Sequence, residues 1–322
     1  MRARTGLLLL LALLLVTAAS VLLPFGPLRA LFAADPTLGG AVLVELRLPR
    51  ALLALAYGAT LGAAGAAVQA LFANPLASPD LTGTTSGAAL GAVVTAYYFG
   101  LSAPAALAMG SVAGALLALF LLLALAGPKA ETATLLLAGL AISALAGALT
   151  TLALALAPSP FAFYDAYDWL MGSLIDRSLD QAAFAAFPAL IVILLLLRLA
   201  PALDRLALGE EVAQSLGHNV RRLRLQIVCL TALGVGACVA ICGAIGFIGL
   251  IAPIFARRLV RGHPGRAILP AAMIGALLLV AADLAVRLAP VGRTLPIGVV
   301  TALIGVPFFL WLVVHMRWRV TS

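Results

Sequence analysis

One long stretch without charged side chains constrains this sequence more than any other feature. No Asp, Glu, Lys or Arg occurs from position 81 to position 128, and the 322-residue chain has only 20 basic and 12 acidic residues, together 10%. An ordinary soluble domain has about 25% charged residues. This chain has too few polar side chains to cover a soluble globule of its size. With 64% hydrophobic residues and a mean hydropathy of +1.17, it is predicted to be an all-α polytopic membrane protein.

The charge-free intervals predict about ten membrane helices, because about 20 apolar residues cross a bilayer. The first apolar run has features of a signal peptide, but it is long and lacks a clear cleavage site, so we interpret it as a span. The interval 225–256 is predicted to hold a full span to about Cys242 and a partial helix at about 250–260, which protein must shield. Gly100–Pro104 divides the interval 81–128 into two spans. The other predicted spans are 5–28, 51–79, 132–164, 181–197, 267–286 and 294–316.

The basic residues predict the orientation of these spans. With the amino terminus inside and ten crossings, more than twice as many Lys and Arg residues fall inside as outside. This agrees with the positive-inside rule and predicts that both termini are cytoplasmic. Basic residues at the ends of apolar runs indicate membrane topology, so no nucleic-acid partner is expected. No GxxxxGK[ST] motif occurs, so the chain itself has no predicted ATP site.

Glycines and prolines predict where the chain packs closely or turns. Small residues at helical spacing predict a helix that is surrounded by other helices; they include Gly58, Gly62 and Gly65. The segment Gln69–Asp80 contains two X-Pro pairs that mark a turn. This turn is either an ordinary connection or a constriction that lines a pathway. A bent re-entrant turn is predicted around Gly243, Gly246 and Gly249.

Few residues in the sequence indicate a catalytic or metal-binding function. Asp283 is the one carboxylate inside an apolar span, which makes it a functional candidate, but an ion pair with Arg287 one helical turn later is the favoured interpretation. The three cysteines share one apolar stretch and are interpreted as buried thiols, and the three histidines are dispersed. We therefore predict no metal site and no catalytic residue.

The polar stretch 198–224 is predicted to lie on the cytoplasmic side. Glu210–Gln214 forms a short amphipathic helix that ends at Gly217, a C-cap residue. Helices that lie on membranes are usually rich in Lys and Arg. The acidic pair Glu210 and Glu211 therefore favours docking to a protein.

Several short motifs occur in a fixed order between about residue 40 and residue 316. They include Arg47-Leu-Pro-Arg50, Asn74-Pro-Leu-Ala77, Trp169-Leu-Met-Gly172, Leu208-Gly-Glu-Glu, Gly243-Ala-Ile-Gly-Phe-Ile-Gly-Leu250, Ala282-Asp283 and Leu295-Pro-Ile-Gly298. Together these segments resemble the FecCD-type permeases of type II ATP-binding-cassette (ABC) importers, which carry iron-siderophores, haem and vitamin B12. The chain departs from the family at Ile254, where His usually follows the proline, and at Thr294, where Glu is usual.

The resemblance implies a BtuC-like fold in which residues 1–322 form one transmembrane permease domain. It implies a homodimer in the lipid bilayer of the bacterial inner membrane, with a substrate path at the two-fold interface lined mainly by helices 5 and 10. Two ATPase subunits are expected below, and they bind ATP and Mg²⁺. A periplasmic binding protein is expected above. No cofactor is expected in this chain.

Site residues also follow from the resemblance. A small, weakly polar path or gate is expected at Asn74, Leu76, Thr132 and Ala133, with Ser143 and Thr150 further along helix 5. Contact with the ATPase is expected from cytoplasmic helices at 206–219, through Leu208, Gly209, Glu210, Glu211, Ser215, Leu216 and Gly217. Docking of the binding protein is expected at Arg47, Arg50 and Arg287, unless these arginines only anchor helix ends among lipid headgroups.

The expected function is import of an iron chelate, a siderophore or haem, from periplasm to cytoplasm, with cobalamin as the alternative substrate. A proton-coupled secondary transporter would need a relay of buried ionisable groups, and Asp283 alone is poor support for one. A membrane-embedded enzyme would need clustered Asp, His or Cys residues facing a cavity. The sequence contains no such cluster.

Overall fold

The computed structural model describes residues 3–127, 132–157, 160–288 and 295–320, and every regular element in these ranges is a helix. A π-helical segment, Val42–Arg47, leads into α4, and a short 3₁₀ turn, Gly265–Ala267, leads into α13. The α-helices are α1 (Ala3–Leu22), α2 (Phe25–Ala34), α3 (Pro36–Ala41), α4 (Leu48–Leu71), α5 (Thr84–Tyr97), α6 (Pro104–Ala126), α7 (Thr132–Ala155), α8 (Pro160–Leu170), α9 (Leu179–Leu206), α10 (Glu210–Ser215), α11 (Val220–Cys242), α12 (Ile248–Leu259), α13 (Ile268–Leu288) and α14 (Ile297–Val320).

The predicted spans correspond to ten of these helices. By length and composition, seven helical segments within the described ranges are long and apolar enough to cross a membrane: α1, α3 joined to α4, α6, α7, α9, α11 and α13. Two of the other three are shorter, since α5 has 14 residues and α12 has 12. The third, α14, has 24 residues, and its apolar segment Ile297–Leu312 lies within the described side chains. The prediction of an all-α, multi-pass membrane protein is confirmed.

Two predicted spans are longer than the helices that the structure forms. The interval 5–28 divides where α1 ends at Leu22 and α2 begins after Pro24, and the interval 132–164 divides where α7 ends and α8 begins at Pro160. A helix of 24 residues is already about 36 Å long, so it needs no further residues to cross. Proline lacks the amide hydrogen of an interior helical residue and favours the start of the next helix.

Helix α4 lies at the centre of the bundle, because its small residues let other backbones approach. Gly58 and Gly62 face the backbone of α13, and Gly65 faces Gly249 of α12. A Cβ atom at any of these three glycines would overlap a backbone carbonyl oxygen. Most of α4 is buried inside the chain. The predicted close packing of this helix is confirmed.

The half-helix α12 follows a tight reversal of the chain. Helix α11 ends at Cys242, Gly243 takes a φ of +71°, and α12 starts after Phe247, whose φ is +65°. The first six residues of α12, from Ile248 to Pro253, are buried. Protein therefore shields this partial helix, as predicted, and its start lies two residues before the predicted one.

Candidate transport path and partner surfaces

The turn 72–83 connects α4 to α5 and contains the predicted gate residues. Asn74 is buried, and its Oδ1 accepts a hydrogen bond from the Leu76 amide at 2.9 Å, which is the Asx turn that Asn favours. The Leu81 amide donates to Ser78 Oγ at 3.2 Å. The polar side chains of this turn thus hold its shape. Leu76 is partly exposed and is the predicted gate side chain in this turn that faces outward.

On α7, the two predicted hydroxyl groups are directed into the chain. Ser143 Oγ donates to the carbonyl of Asp80 at 3.1 Å. Thr150 is buried and donates to the carbonyl of Ala146 at 2.8 Å. Thr132 and Ala133 begin the helix, but their side chains lie outside the described part of the structure.

The sequence alone does not show which residues of α7 and α14 remain exposed. On α7, a stripe of small exposed residues runs along one face at helical spacing: Ala144, Gly147, Ala148 and Thr151. Helix α14 exposes large apolar side chains, among them Val299, Leu303, Ile304, Val306 and Leu310. The predicted path residues Ser143 and Thr150 are not part of this stripe. Only the positions of the neighbouring helices show which face of α7 stays uncovered.

The loop that contains α10 exposes every residue predicted to contact an ATPase. Ala213 is buried against the bundle, whereas the outward side of the loop carries three apolar side chains, Leu208, Val212 and Leu216, which are 66%, 42% and 54% exposed. Exposed apolar patches with a polar rim mark sites of protein interaction. We call these three residues, together with Glu210 and Glu211, the α10 surface.

Several contacts hold the α10 surface on the bundle. Glu210 Oε1 lies 2.7 Å from the Arg224 guanidinium of α11, and Arg205 of α9 contacts the His218 ring. The helix is bounded by Gly209 and Gly217, whose φ angles are +113° and +83°. Glycine adopts such angles without the steric cost that other residues incur. The predicted short helix with Gly217 at its end is confirmed.

Two of the predicted docking arginines share one buried carboxylate. Asp283 is fully buried, its Oδ1 lies 2.7 Å from Arg50 Nε, and its Oδ2 lies 3.2 Å from Arg287 Nε. Arg287 also contacts the hydroxyl of Ser20. The predicted ion pair of Asp283 with Arg287 is confirmed, and the structure adds Arg50. This cluster joins α1, α4 and α13.

Arg47, the third predicted docking residue, lies at the end of α1. Its guanidinium donates to the carbonyl oxygens of Val21 and Leu23, both at 3.1 Å. The carbonyls at the end of a helix lack partners within the helix, so Arg47 stabilises the end of α1. A guanidinium has five N–H donors, and Arg47 remains partly exposed with further donors to offer.

One partly buried carboxylate was not identified from the sequence. Asp80 accepts hydrogen bonds from the Thr85 hydroxyl and from the Phe247 amide, at 2.7 and 2.9 Å. It is the only charged residue between Arg50 and Lys129. The isolation of Asp80 in the sequence could have identified it as a functional candidate, since a lone carboxylate among apolar spans requires polar partners.

Seven apolar helical segments long enough to cross a membrane, a shielded half-helix, the hydrogen-bonded turn 72–83 and an exposed loop helix, all within the described ranges, define an all-helical, multi-pass membrane protein. The chain belongs to the FecCD transport family, whose profile matches residues 6–315. The resemblance inferred from the motifs is thereby confirmed. Family membership makes this chain a transport protein and not an enzyme.

Individual relatives agree with this assignment. The chain is 41% identical to a vitamin B12 import system permease protein of Vibrio cholerae, over 88% of this chain and 86% of that protein. It is 39% identical to an Fe(3+)-citrate import system permease protein of Bacillus subtilis, over 84% and 81%. A solved structure described as an inward-facing conformation of a metal-chelate type ABC transporter superposes with a TM-score of 0.81 at 31% identity, covering 95% of this chain and 97% of that one.

Proposed function

We propose that this chain is the permease subunit of an ABC importer that moves an iron chelate from the periplasm to the cytoplasm. The observation that carries the proposal is similarity along almost the entire chain to import permeases for vitamin B12 and Fe(3+)-citrate. The ATP that drives transport is bound by a separate ATPase subunit, and two such subunits serve one transporter.

The α10 surface is the proposed contact with the ATPase. Its three exposed leucine and valine side chains lie on a loop rather than on a membrane-spanning helix. Two acidic residues in the first turn of α10 make it a poor ligand for anionic lipid. Burial of these apolar side chains against a protein groove is the arrangement that accounts for both features.

A second copy of this chain is the proposed partner within the membrane. Helices α7 and α14 leave broad faces uncovered within one chain. Two copies that meet near these helices enclose a path between them, and the small residues of α7 keep that path wide. Ten crossings place both termini on the side of the α10 surface, which is the cytoplasmic side under the positive-inside rule. The transporter lies in the bacterial inner membrane.

The opposite face is proposed to receive a periplasmic binding protein. Arg47, Arg50 and Arg287 bring three positive charges together, and the buried Asp283 neutralises only part of them. Acidic side chains on the binding protein complement such a cluster. Guanidinium groups suit this role because they can pair with carboxylates through two parallel hydrogen bonds.

An iron chelate is the first proposed substrate, and cobalamin is the alternative. The vitamin B12 permease and the Fe(3+)-citrate permease differ by only two percentage points in identity to this chain. The metal-chelate type transporter of similar fold covers nearly the whole chain. Both substrate classes are bulky metal complexes, so they fit one wide, weakly polar path.

Uptake into proteoliposomes tests this proposal. The chain is reconstituted with its partner ATPase, ATP is enclosed in the lumen, and binding protein loaded with labelled ferric siderophore, haem or cobalamin is added outside. We expect ATP-dependent accumulation of the ferric chelate. Accumulation of cobalamin alone would select the alternative substrate. Uptake that needs a proton gradient and no ATP would overturn the proposal.

A further inference from the structure

The end of α4, where the turn 72–83 starts, packs against the first turn of the half-helix α12. Gln69 Nε2, near the end of α4, donates to the carbonyl of Leu250 at 3.3 Å, and both groups are buried. Gly65 lies so close to Gly249 that a side chain at position 65 would overlap its carbonyl oxygen. The end of α4, from which the turn emerges, therefore has a fixed place beside α12.

Asp80 supplies the polar contacts of this junction. Its Oδ2 accepts from the Phe247 amide at 2.9 Å, and its Oδ1 accepts from the Thr85 hydroxyl at 2.7 Å. Its backbone carbonyl accepts from the Ser143 hydroxyl at 3.1 Å. One residue of the turn thus contacts α5, α7 and the start of α12.

The hydrogen bond from the Phe247 amide to Asp80 matters because Phe247 lies at the start of α12. It is the N-cap residue of α12, it adopts a left-handed φ of +65°, and its own side chain does not cap the helix. Its ring lies against Gly305 of α14. Asp80 therefore provides the acceptor at the start of α12, where a carboxylate interacts favourably with the helix dipole. Hydrogen bonds to a carboxylate are stronger than those between neutral groups.

The other end of α12 leads towards the α10 surface. After α12 and the turn that follows it, the Gly265 amide donates to Asp204 Oδ1 at 2.8 Å. Asp204 lies in the last turn of α9, immediately before the loop that carries α10. Helix α12 and the segment that follows it to Gly265 therefore connect the turn 72–83 to the base of the α10 surface.

We propose that Asp80 is a positioning residue that fastens the turn 72–83 to α12, so that the turn and the half-helix move as one body. The proposal rests on the proposed function in taking this turn as the inner gate. A displacement of the α10 surface by the ATPase then reaches the gate through α9, Gly265 and α12. Without the carboxylate, the same displacement moves α12 and leaves the turn behind.

The experiment uses the full transporter with its ATPase in lipid nanodiscs and in proteoliposomes. Asp80→Ala removes both carboxylate oxygens, and Asp80→Asn keeps the size but replaces one acceptor oxygen with a donor. Thr85→Val removes one bond, and Thr85→Ser restores its hydroxyl. Asp176→Asn, an exposed carboxylate outside this junction, is the matched control. Amide hydrogen exchange over residues 246–252 is measured beside the number of ATP molecules hydrolysed per substrate imported.

For Asp80→Ala we expect exchange over residues 246–252 to rise about tenfold, as expected when a hydrogen bond to a charged group is lost. For Asp80→Asn we expect a smaller rise, because its remaining carbonyl oxygen still accepts one bond. Exchange in α1 should stay at the wild-type value, while ATP hydrolysed per imported substrate rises several-fold in Asp80→Ala. Thr85→Ser should recover what Thr85→Val loses. Unchanged exchange over 246–252, or a uniform rise across all helices, would overturn the proposal.

The two measurements separate this inference from the proposed function. If the wild-type transporter imports no chelate and no cobalamin, the proposed function fails, while exchange over 246–252 still decides whether Asp80 fastens α12. If uptake is normal in the wild type and the ATP cost of import is unchanged in Asp80→Ala, the inference fails and the proposed function stands.

Discussion

Arg50 and Asp283, separated by 233 positions in the sequence, form an ion pair in which Nε and Oδ1 are 2.7 Å apart. The pair connects the start of α4 to α13. Asp283 is completely buried, and Arg287 approaches its other oxygen from the same helix. Removing one partner of a buried ion pair leaves a charge without compensation, and this costs about 3–5 kcal/mol.

Asp283→Asn should therefore lower the stability of the protein, because Arg50 and Arg287 lose their shared counter-charge. The expected result is a clear fall in the midpoint of thermal unfolding in detergent. Asp176→Asn is the matched control, since that carboxylate is exposed. Equal midpoints for the wild type and Asp283→Asn would show that the ion pair contributes nothing to stability.

Reversing Arg50 or Arg287 to Glu should weaken docking of the binding protein and flatten its dependence on salt, since charges at an interface rim act mostly on the association rate. Docking is measured by surface plasmon resonance at several ionic strengths, and basal ATPase activity of the complex should not fall.

Each reversal also places a second carboxylate beside Asp283. Asp283→Asn is therefore the control, because it destabilises the cluster but keeps every arginine. Unchanged docking in both reversals would make these arginines topology signals only.

Gly217→Ala should uncouple ATP hydrolysis from transport without preventing membrane insertion. There is open space around Gly217, so the cause is its φ of +83° rather than a clash. Forcing alanine into this region costs about 1–2 kcal/mol, which alters the end of α10. Gly40→Ala is the control, because that glycine also has open space but no positive φ. Normal transport by Gly217→Ala would remove α10 from the coupling mechanism.

Cysteine placed at position 76 should crosslink across the proposed dimer when the inner gate is closed. Leu76 is a partly exposed apolar residue of a turn in which Asn74 and Ser78 accept hydrogen bonds from the turn's own backbone. Crosslinking is read as a dimer band on a non-reducing gel in each nucleotide state. The absence of a crosslink in every state would place this turn away from the two-fold axis.

The sequence predicted the helical architecture well, because charge-free runs and glycine spacing report directly on burial in a membrane. The break at Gly100–Pro104 and the half-helix after Cys242 both occur where these patterns place them. Helix ends were less predictable. The ends of α1 and α7 depend on prolines and on the length needed to cross the membrane. Neither factor introduces a charged residue, so the charge-free runs continue past these helix ends.

The site was predictable only in part. The exposed residues around α10 were recognisable, because two adjacent glutamates and several apolar residues lie in a short segment between flanking glycines. The orientation of Ser143 and Thr150 was not, because a hydroxyl on a helix can bond to its own backbone, as Thr150 does, or to a distant carbonyl, as Ser143 does, as easily as it can line a path. The roles of Asp80 and Arg50 depend on partners more than 160 positions away, and no local pattern shows such contacts.

The central claim is that ATP hydrolysis reaches this chain through the α10 surface. The most direct measurement is the affinity of the purified ATPase for nanodiscs that contain the wild-type chain or the double variant Leu208→Asp, Leu216→Asp. Leu101→Asp, on an exposed loop between α5 and α6, is the control. We predict at least a tenfold loss of affinity for the double variant and none for the control. Equal affinity for all three proteins would contradict the account.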